Sequence, residues 1–244
     1  MDRDVYTRMG ATEERHWWFV GRRRILADVI DRLIKLPDSP RILEAGCGTG
    51  GNLGLLSRFG TVHAFEPDGE ARRNAAGKGD FDVRGGSLPN AVPFPEEQFD
   101  LIAALDILEH VEDDRGSLVE LRSRLRPGGW MLITVPAFPF LWSRHDERHH
   151  HKRRYRRKEL IEKLQDAGFE LALITYFNAL LFPVIVLIRL AQRLFGVDHG
   201  DDERIPPTVL NRFLSLIFAG ERHLVGRLPA LFGLSLLAVV RRPA

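Results

Sequence analysis

The chain has 244 residues, 44% of them hydrophobic, enough to bury a full core in one large α/β domain with elaborations and too few for two equal domains of that kind. A formal net charge of +2 excludes a globally acidic or basic binding protein, so partners must be read from local patches. The single cysteine, Cys47, excludes an intrachain disulfide framework and suits a reducing cytosol.

The opening MDRDVYTRMG is a polar stretch not expected to be a secretory signal, and a helix is expected after it at about 13–36, which the prolines of LPDSP stop. A regular alternation follows. RILEA reads as a buried strand, 52–59 as a helix, TVHAFE as a second strand and 69–77 as a second helix. FDVRGG and FDLIAAL read as two more strands, 115–125 as a helix, and WMLITVP as a fifth strand announced by an RPGG turn. Strands alternating with helices imply parallel pairing through right-handed crossovers, hence a doubly wound sheet.

Beyond Pro136 a basic, His-rich loop leads to a helix at 157–167 and a strand at 169–176. Two apolar helices, 179–195 and 207–225, flank the charged turn GVDHGDDERIPP, and a last strand closes the chain by antiparallel pairing at the sheet edge. The uncharged run 171–188 reaches the length of a membrane span, but a strand occupies its first part and Pro183 interrupts the rest, so a buried or interfacial helix is expected instead. The expected organisation is a helical cap (1–39), an α/β core (40–178), an apolar helical insertion (179–230) and a final core strand (231–244).

RILEAGCGTGGN carries the chemistry. Gly46, Gly48 and Gly51 spell the dinucleotide pattern G-x-G-x-x-G, whereas Gly46, Gly48 and Gly50 spell the tighter G-x-G-x-G of enzymes that use S-adenosylmethionine (SAM). Glu44 would repel a pyrophosphate at this loop but favour the sulfonium and ammonium of SAM. Glu66, at the end of the second strand, suits a ribose diol in either case.

LEAGCGTGGN, AFEPD, GSLPNAVPFPEEQFDLIAALDILEHVED, LRSRLRPGGWMLITVP and KELIEKLQDAGFE together resemble class I SAM-dependent methyltransferases, notably the small-molecule type that includes ubiquinone-pathway O-methyltransferases, over residues 40–175. The resemblance implies a seven-stranded Rossmann-like sheet with an antiparallel final hairpin. It places Glu44, Gly46, Gly48 and Gly50 at the methionine and ribose side and Glu66 on the ribose with Pro67 beside it; Cys47 within the loop is a further cofactor-binding candidate, and Asp106 suits a cofactor contact as well as it suits the chemistry. Members often carry Gly-Asp where this chain has Gly86-Ser87, so Ser87 and Leu88 are expected at the adenine with a weaker acceptor than a carboxylate. HWWF near the N-terminus resembles the cap of a bacterial methyltransferase subgroup that closes over the cofactor.

Methyl transfer needs alignment and, for many acceptors, removal of a proton. His110 and Glu109 in ALDILEHVED are the candidate catalytic groups, His110 because an imidazole titrates near working pH; a structural histidine is the bland alternative. Trp17 and Trp18, with His145, His149, Arg154 and Tyr155 from SRHDERHHHKRRY, are the candidate acceptor-binding residues. No resident metal is expected, because three consecutive histidines cannot face one ion, and no nucleic acid, because stacking aromatics are not interleaved with the basic run.

The apolar helices suggest a lipid-linked or small-molecule acceptor and contact with the inner face of a membrane, with Arg189 and Arg193 toward headgroups; a homodimer interface is the alternative use of the same surface. The expected function is a cytoplasmic SAM-dependent methyltransferase acting on oxygen or nitrogen. A nucleotide-dependent oxidoreductase and a non-catalytic SAM-binding scaffold are the competing readings.

Overall fold

Seven strands form one sheet in the order β3-β2-β1-β4-β5-β7-β6. The computed structural model describes residues 3–195 and 204–244, with α1 at Arg3–Thr12, α2 at Trp17–Leu33, β1 at Arg41–Ala45, α3 at Leu53–Leu56, β2 at Thr61–Phe65, α4 at Gly69–Ala76, β3 at Asp82–Arg84 and β4 at Phe99–Leu105. Then follow α5 at Asp114–Arg124, β5 at Leu125–Pro136, α6 at Arg144–Arg148, α7 at Arg157–Asp166, β6 at Glu170–Phe177, α8 at Phe182–Phe195, α9 at Thr208–Gly220 and β7 at Ser235–Arg241.

β1 to β5 pair in parallel, and β7 runs antiparallel to both β5 and β6. The final strand is therefore interior and β6 takes the edge. β4 is buried along its whole length, which is why FDLIAAL is a continuous apolar run with Asp100 its one charged residue. One sheet face packs on α5 and α7 through Leu118, Leu121, Leu160 and Leu164; the other packs on α2, α3 and α9 through Ile25, Ile30, Leu53 and Phe218. Both faces are covered, as a doubly wound sheet requires.

Three expectations shift. The polar N-terminal stretch is helical (α1), and the next helix begins only at Trp17, where the His16 side chain caps the Trp18 amide. The RPGG segment lies within β5, where Gly128 at φ +77° and a register shift let the strand run back to Leu125. The 179–195 helix starts at Phe182. The insertion docks through α9, whose Phe218 comes so close to Gly21 that a Cβ there would lie about 2.6 Å from the ring. Much of the charged turn expected between the apolar helices, and the side chains of Arg189 and Arg193, lie outside the described residues. No helix among the described residues is long and apolar enough to cross a membrane.

Candidate cofactor and acceptor site

β1 delivers the chain into a loop in which Gly46, Gly48 and Gly50 have φ of +67°, +54° and +87°, the left-handed region that glycine enters without strain. At Gly46 a side chain would also collide with Ile107, just past β4. Three of the loop amides are engaged within the fold. Cys47 N–H donates to Phe65 O at 3.0 Å, Gly48 N–H to Glu66 Oε2 at 3.0 Å and Gly50 N–H to Cys47 O at 2.9 Å.

Around it stand three acids. Glu44 is fully buried, its Oε1 accepts from Asn52 Nδ2 at 2.8 Å, and its Oε2 has no hydrogen-bond partner. Burial pushes its pKa up to about 7, with Asn52 and Arg22 pulling the other way. Glu66 is 3% exposed and accepts from Gly48 N–H, Asp68 N–H and the Tyr6 hydroxyl, the last two at 3.0 Å on Oε1; burial raises its pKa against those bonds. Asp106 sits at φ +56°, and Arg22 Nη2 lies 2.7 Å from its Oδ2, an ionic contact whose angles fall short of a hydrogen bond. The buried Thr49 hydroxyl is likewise unpartnered. Unsatisfied acceptors on acids around a tight glycine loop fit a cationic ligand rich in donors, which is the chemistry of SAM.

Helix α1 lies directly over this loop. Tyr6 reaches Glu66, Met9 lies against Gly48, Gly10 against Thr49, and Glu13 covers Gly51 while pairing with Lys78. From α2, the buried Arg22 also donates to Thr134 Oγ1 at 3.0 Å, and its guanidinium sits 4.9 Å over the Trp18 ring. Tyr6, Glu13 and Arg22 are site residues that sequence reasoning missed. The only signal was a hydroxyl, an acid and an arginine flanking HWWF, with no spacing that ties them to residues far along the chain.

Several candidates are engaged within the fold itself. Tyr155 is completely buried with its hydroxyl donated to Asp114 at 2.8 Å, and burial beside that carboxylate drives its pKa up. Arg154 is buried between Asp146 Oδ1, at 2.7 Å, and the Ala137 carbonyl. Both brace the loop from inside instead of facing an acceptor. Trp17 packs edge-on against Phe218 and its amide donates to Asn211, so it docks the insertion; Trp18 supports Arg22. Cys47 is buried, and burial raises its thiol pKa. Ser87 pairs through its backbone with Ala91, Leu88 packs on the core, and Pro67 is exposed.

Past β4 a short 3-10 turn, Leu108–His110, carries the two candidate catalytic groups, Glu109 and His110. Glu109 is buried with Oε2 unpartnered, and burial together with Asp106 raises its pKa well above the usual carboxylate range. Burial, with His151 and His149 nearby, pushes His110 down to about 3, so its imidazole is neutral at physiological pH. The His-rich loop folds back on this turn. Tyr155 N–H donates to Pro136 O, Phe138 N–H to Tyr155 O and Lys152 N–H to Glu109 O, which sets the His151 ring 4.6 Å from that of His110. His145 and His149, at i and i+4 across α6, stack at 4.1 Å beside them.

Comparison with known proteins agrees with this geometry. Residues 19–174 match the model of a methyltransferase domain family. A protein of Mycolicibacterium smegmatis named as a probable S-adenosylmethionine-dependent methyltransferase is 29% identical over 165 residues, covering 66% of this chain and 62% of that protein. A ubiquinone biosynthesis O-methyltransferase of Methylocella silvestris is 37% identical over 111 residues, 41% of this chain and 43% of that one. The alignments thus span from two fifths to about three fifths of the length of these relatives. The fold is shared with the Haloferax volcanii protein solved in complex with the Trm112 methyltransferase activator, at a TM-score of 0.64 and 20% identity, covering 99% of this chain and 95% of that one.

Proposed function

The chain belongs to the methyltransferase domain family, and from that premise we propose that it transfers the methyl group of SAM to an oxygen or nitrogen of a small-molecule or lipid-linked acceptor. The observation that carries the cofactor assignment is the left-handed glycine loop set among Glu44, Glu66 and Asp106, of which Glu44 and Asp106 each keep a carboxylate oxygen without a hydrogen-bond partner. Glu66 takes the ribose diol, ionised Glu44 complements the cationic end, and Asp106 closes the site from β4. Bound SAM supplies an electrophilic methyl on sulfur. The cap helices α1 and α2 keep water from it. At the acceptor end the neutral His110 imidazole is the candidate to take the proton that an acceptor hydroxyl or amine must lose, and Glu109, held toward its protonated form, is the candidate to hydrogen-bond the acceptor.

Calorimetric titration of SAM against wild type and Glu66→Ala tests the cofactor half. Loss of a charged hydrogen bond to the ligand should weaken binding by about 1.5 to 3 kcal/mol. Equal affinity in the two proteins, or thermal protection by NADH in place of SAM, would overturn it.

The lipid-linked form of the acceptor is favoured by one further observation. Phe138, just past β5, stacks on Tyr176 at 5.0 Å and contacts Phe182, which contacts Phe232, so an aromatic run leads from the acceptor end to the insertion. There Val184, Leu187, Ile188, Leu210, Phe213 and Leu216 are exposed, as are Val209 (84%) and Leu231 (82%), with Arg212 and Arg222 among them. Exposed apolar residues of this kind mark an interaction site, and the exposed Arg212 and Arg222 suit anionic headgroups. Flotation with anionic but not neutral vesicles is the expected result; a stable dimer that stays with the soluble fraction would assign the surface to a second copy.

A further inference from the structure

We propose that Glu109, His110 and His151 form a binding site for one divalent transition-metal cation at the acceptor end of β4. One ligand atom from each of the three residues lies within 4.8 Å of the others, and they form the one such group among the described residues. The donor set of two imidazoles and one carboxylate suits borderline cations such as Zn2+, Co2+, Fe2+ or Mn2+ better than Ca2+ or Mg2+.

Two further features set the group apart from a chance cluster. Glu109 is 1% exposed, yet its Oε2 has no hydrogen-bond partner, and an unsatisfied carboxylate oxygen in the interior is costly unless a cation or donor meets it. His151 is oriented from behind: Asp146 Oδ1 lies 2.9 Å from its Nδ1, leaving Nε2 as the lone-pair nitrogen. Asp146 is itself fixed, fully buried, by Arg154 Nε at 2.7 Å and by the Ser143 amide at 2.8 Å. A carboxylate that holds the far nitrogen of a ligating histidine is the usual outer support of a metal site, and here it has its own support in turn.

The architecture explains why a basic run holds these residues. The Tyr155 amide and the Arg154 guanidinium anchor the loop at Pro136 and Ala137, and Lys152 N–H donates to the Glu109 carbonyl, which brings the adjacent His151 to the 3-10 turn. The consecutive histidines at 149–151 do not face one ion. His151 joins the group, while His149 stacks on His145. The proposal departs from the expectation of a loop without a resident metal. It deepens the proposed function, since a cation here stands where an acceptor oxygen or nitrogen would be held, but its binding does not depend on SAM.

The test is calorimetric titration of Zn2+ into the full chain stripped with chelator, with Co2+ absorption spectroscopy as the second probe. The expected result is one Zn2+ per chain, with affinity falling at least 100-fold in Glu109→Gln, His110→Ala and His151→Ala and about 10- to 100-fold in Asp146→Asn. His150→Ala should bind like wild type, and Co2+ should give visible ligand-field bands that are lost in His151→Ala. Circular dichroism checks that the variants fold; if His151→Ala does not, His151→Gln and His110→Asn replace it. Absence of stoichiometric Zn2+ binding, or binding lost in a His145→Ala/His149→Ala double variant but retained in His151→Ala, would overturn the site. SAM titration of the same preparations reports separately on the cofactor reading.

Discussion

Replacing Tyr6 by phenylalanine removes one hydroxyl and asks whether the cap must lift for SAM to enter. The Glu66 carboxylate has about four lone-pair sites, and three are taken, by the Gly48 amide, the Asp68 amide and the Tyr6 hydroxyl. A ribose diol that donates two hydrogen bonds needs two sites, so one present donor must leave. The two amides belong to the glycine loop and to the turn into α4, whereas Tyr6 belongs to α1, a separate element resting on the loop. A hydrogen bond to a carboxylate contributes about 1.5 to 3 kcal/mol, and for a half-buried tyrosine the lower end applies. In wild type that energy favours the covered state and lowers the fraction competent to bind. Tyr6→Phe should therefore tighten SAM binding about tenfold, at roughly 1.4 kcal/mol per decade, without disturbing the packing of Met9 and Gly10. Isothermal titration of both proteins with SAM reads this directly. Unchanged or weaker affinity in the variant would refute the reasoning, because Tyr6 would then lie outside the competition or hold the cofactor itself.

Glu44 gives a pH signature. Its folded pKa of about 7 lies above the unfolded value, so its contribution to stability is fully present below about pH 4.5 and is lost as pH rises through 7; the span corresponds to about 3 kcal/mol. Urea unfolding of wild type should weaken by that amount from pH 4.5 to 8 relative to Glu44→Gln, and parallel pH profiles would refute it. Gly46→Ala should cost at least about 1 to 2 kcal/mol from positive φ alone, and more from the collision with Ile107, read as a lower urea midpoint; a midpoint equal to wild type would contradict the loop geometry.

What the sequence disclosed followed from local physics. Strands covered on both faces must be apolar runs, so β1, β4 and β5 stood out, and the glycines with Glu44 and Glu66 carried a pattern that only a few backbone geometries satisfy. What it concealed was long-range. Tyr6 and Glu66 are 60 positions apart and Arg22 and Thr134 are 112 apart, and no short window holds such pairs. The basic loop misled for a related reason. Arg154 and Tyr155 read as acceptor-binding groups, yet each is buried against an acid supplied from elsewhere, Asp146 and Asp114. α1 was invisible because a helix of ten mostly polar residues has little apolar periodicity of its own.

The cap and the cofactor site share one set of charges. Glu66 and Asp106, which a cationic ligand would engage, are met from the cap by Tyr6 and Arg22 respectively. Any ligand that takes over either acid therefore weakens the cap's hold, and any force that moves the cap changes the affinity for that ligand. α2 extends this coupling outward, because the helix that carries Arg22 also packs its Trp17 and Gly21 on Phe218 of α9, whose opposite side is the exposed apolar face. Binding at the insertion and binding at the glycine loop thus act on one rigid helix. Linkage makes the effect reciprocal: if anionic vesicles change the SAM dissociation constant by some factor, SAM must change vesicle affinity by the same factor. Flotation with and without SAM, set beside SAM titration with and without vesicles, measures the two sides independently. Coupling through α2 requires a common factor different from one that disappears in Phe218→Ala. A factor of one in wild type would mean that α2 holds its position whatever binds at either end.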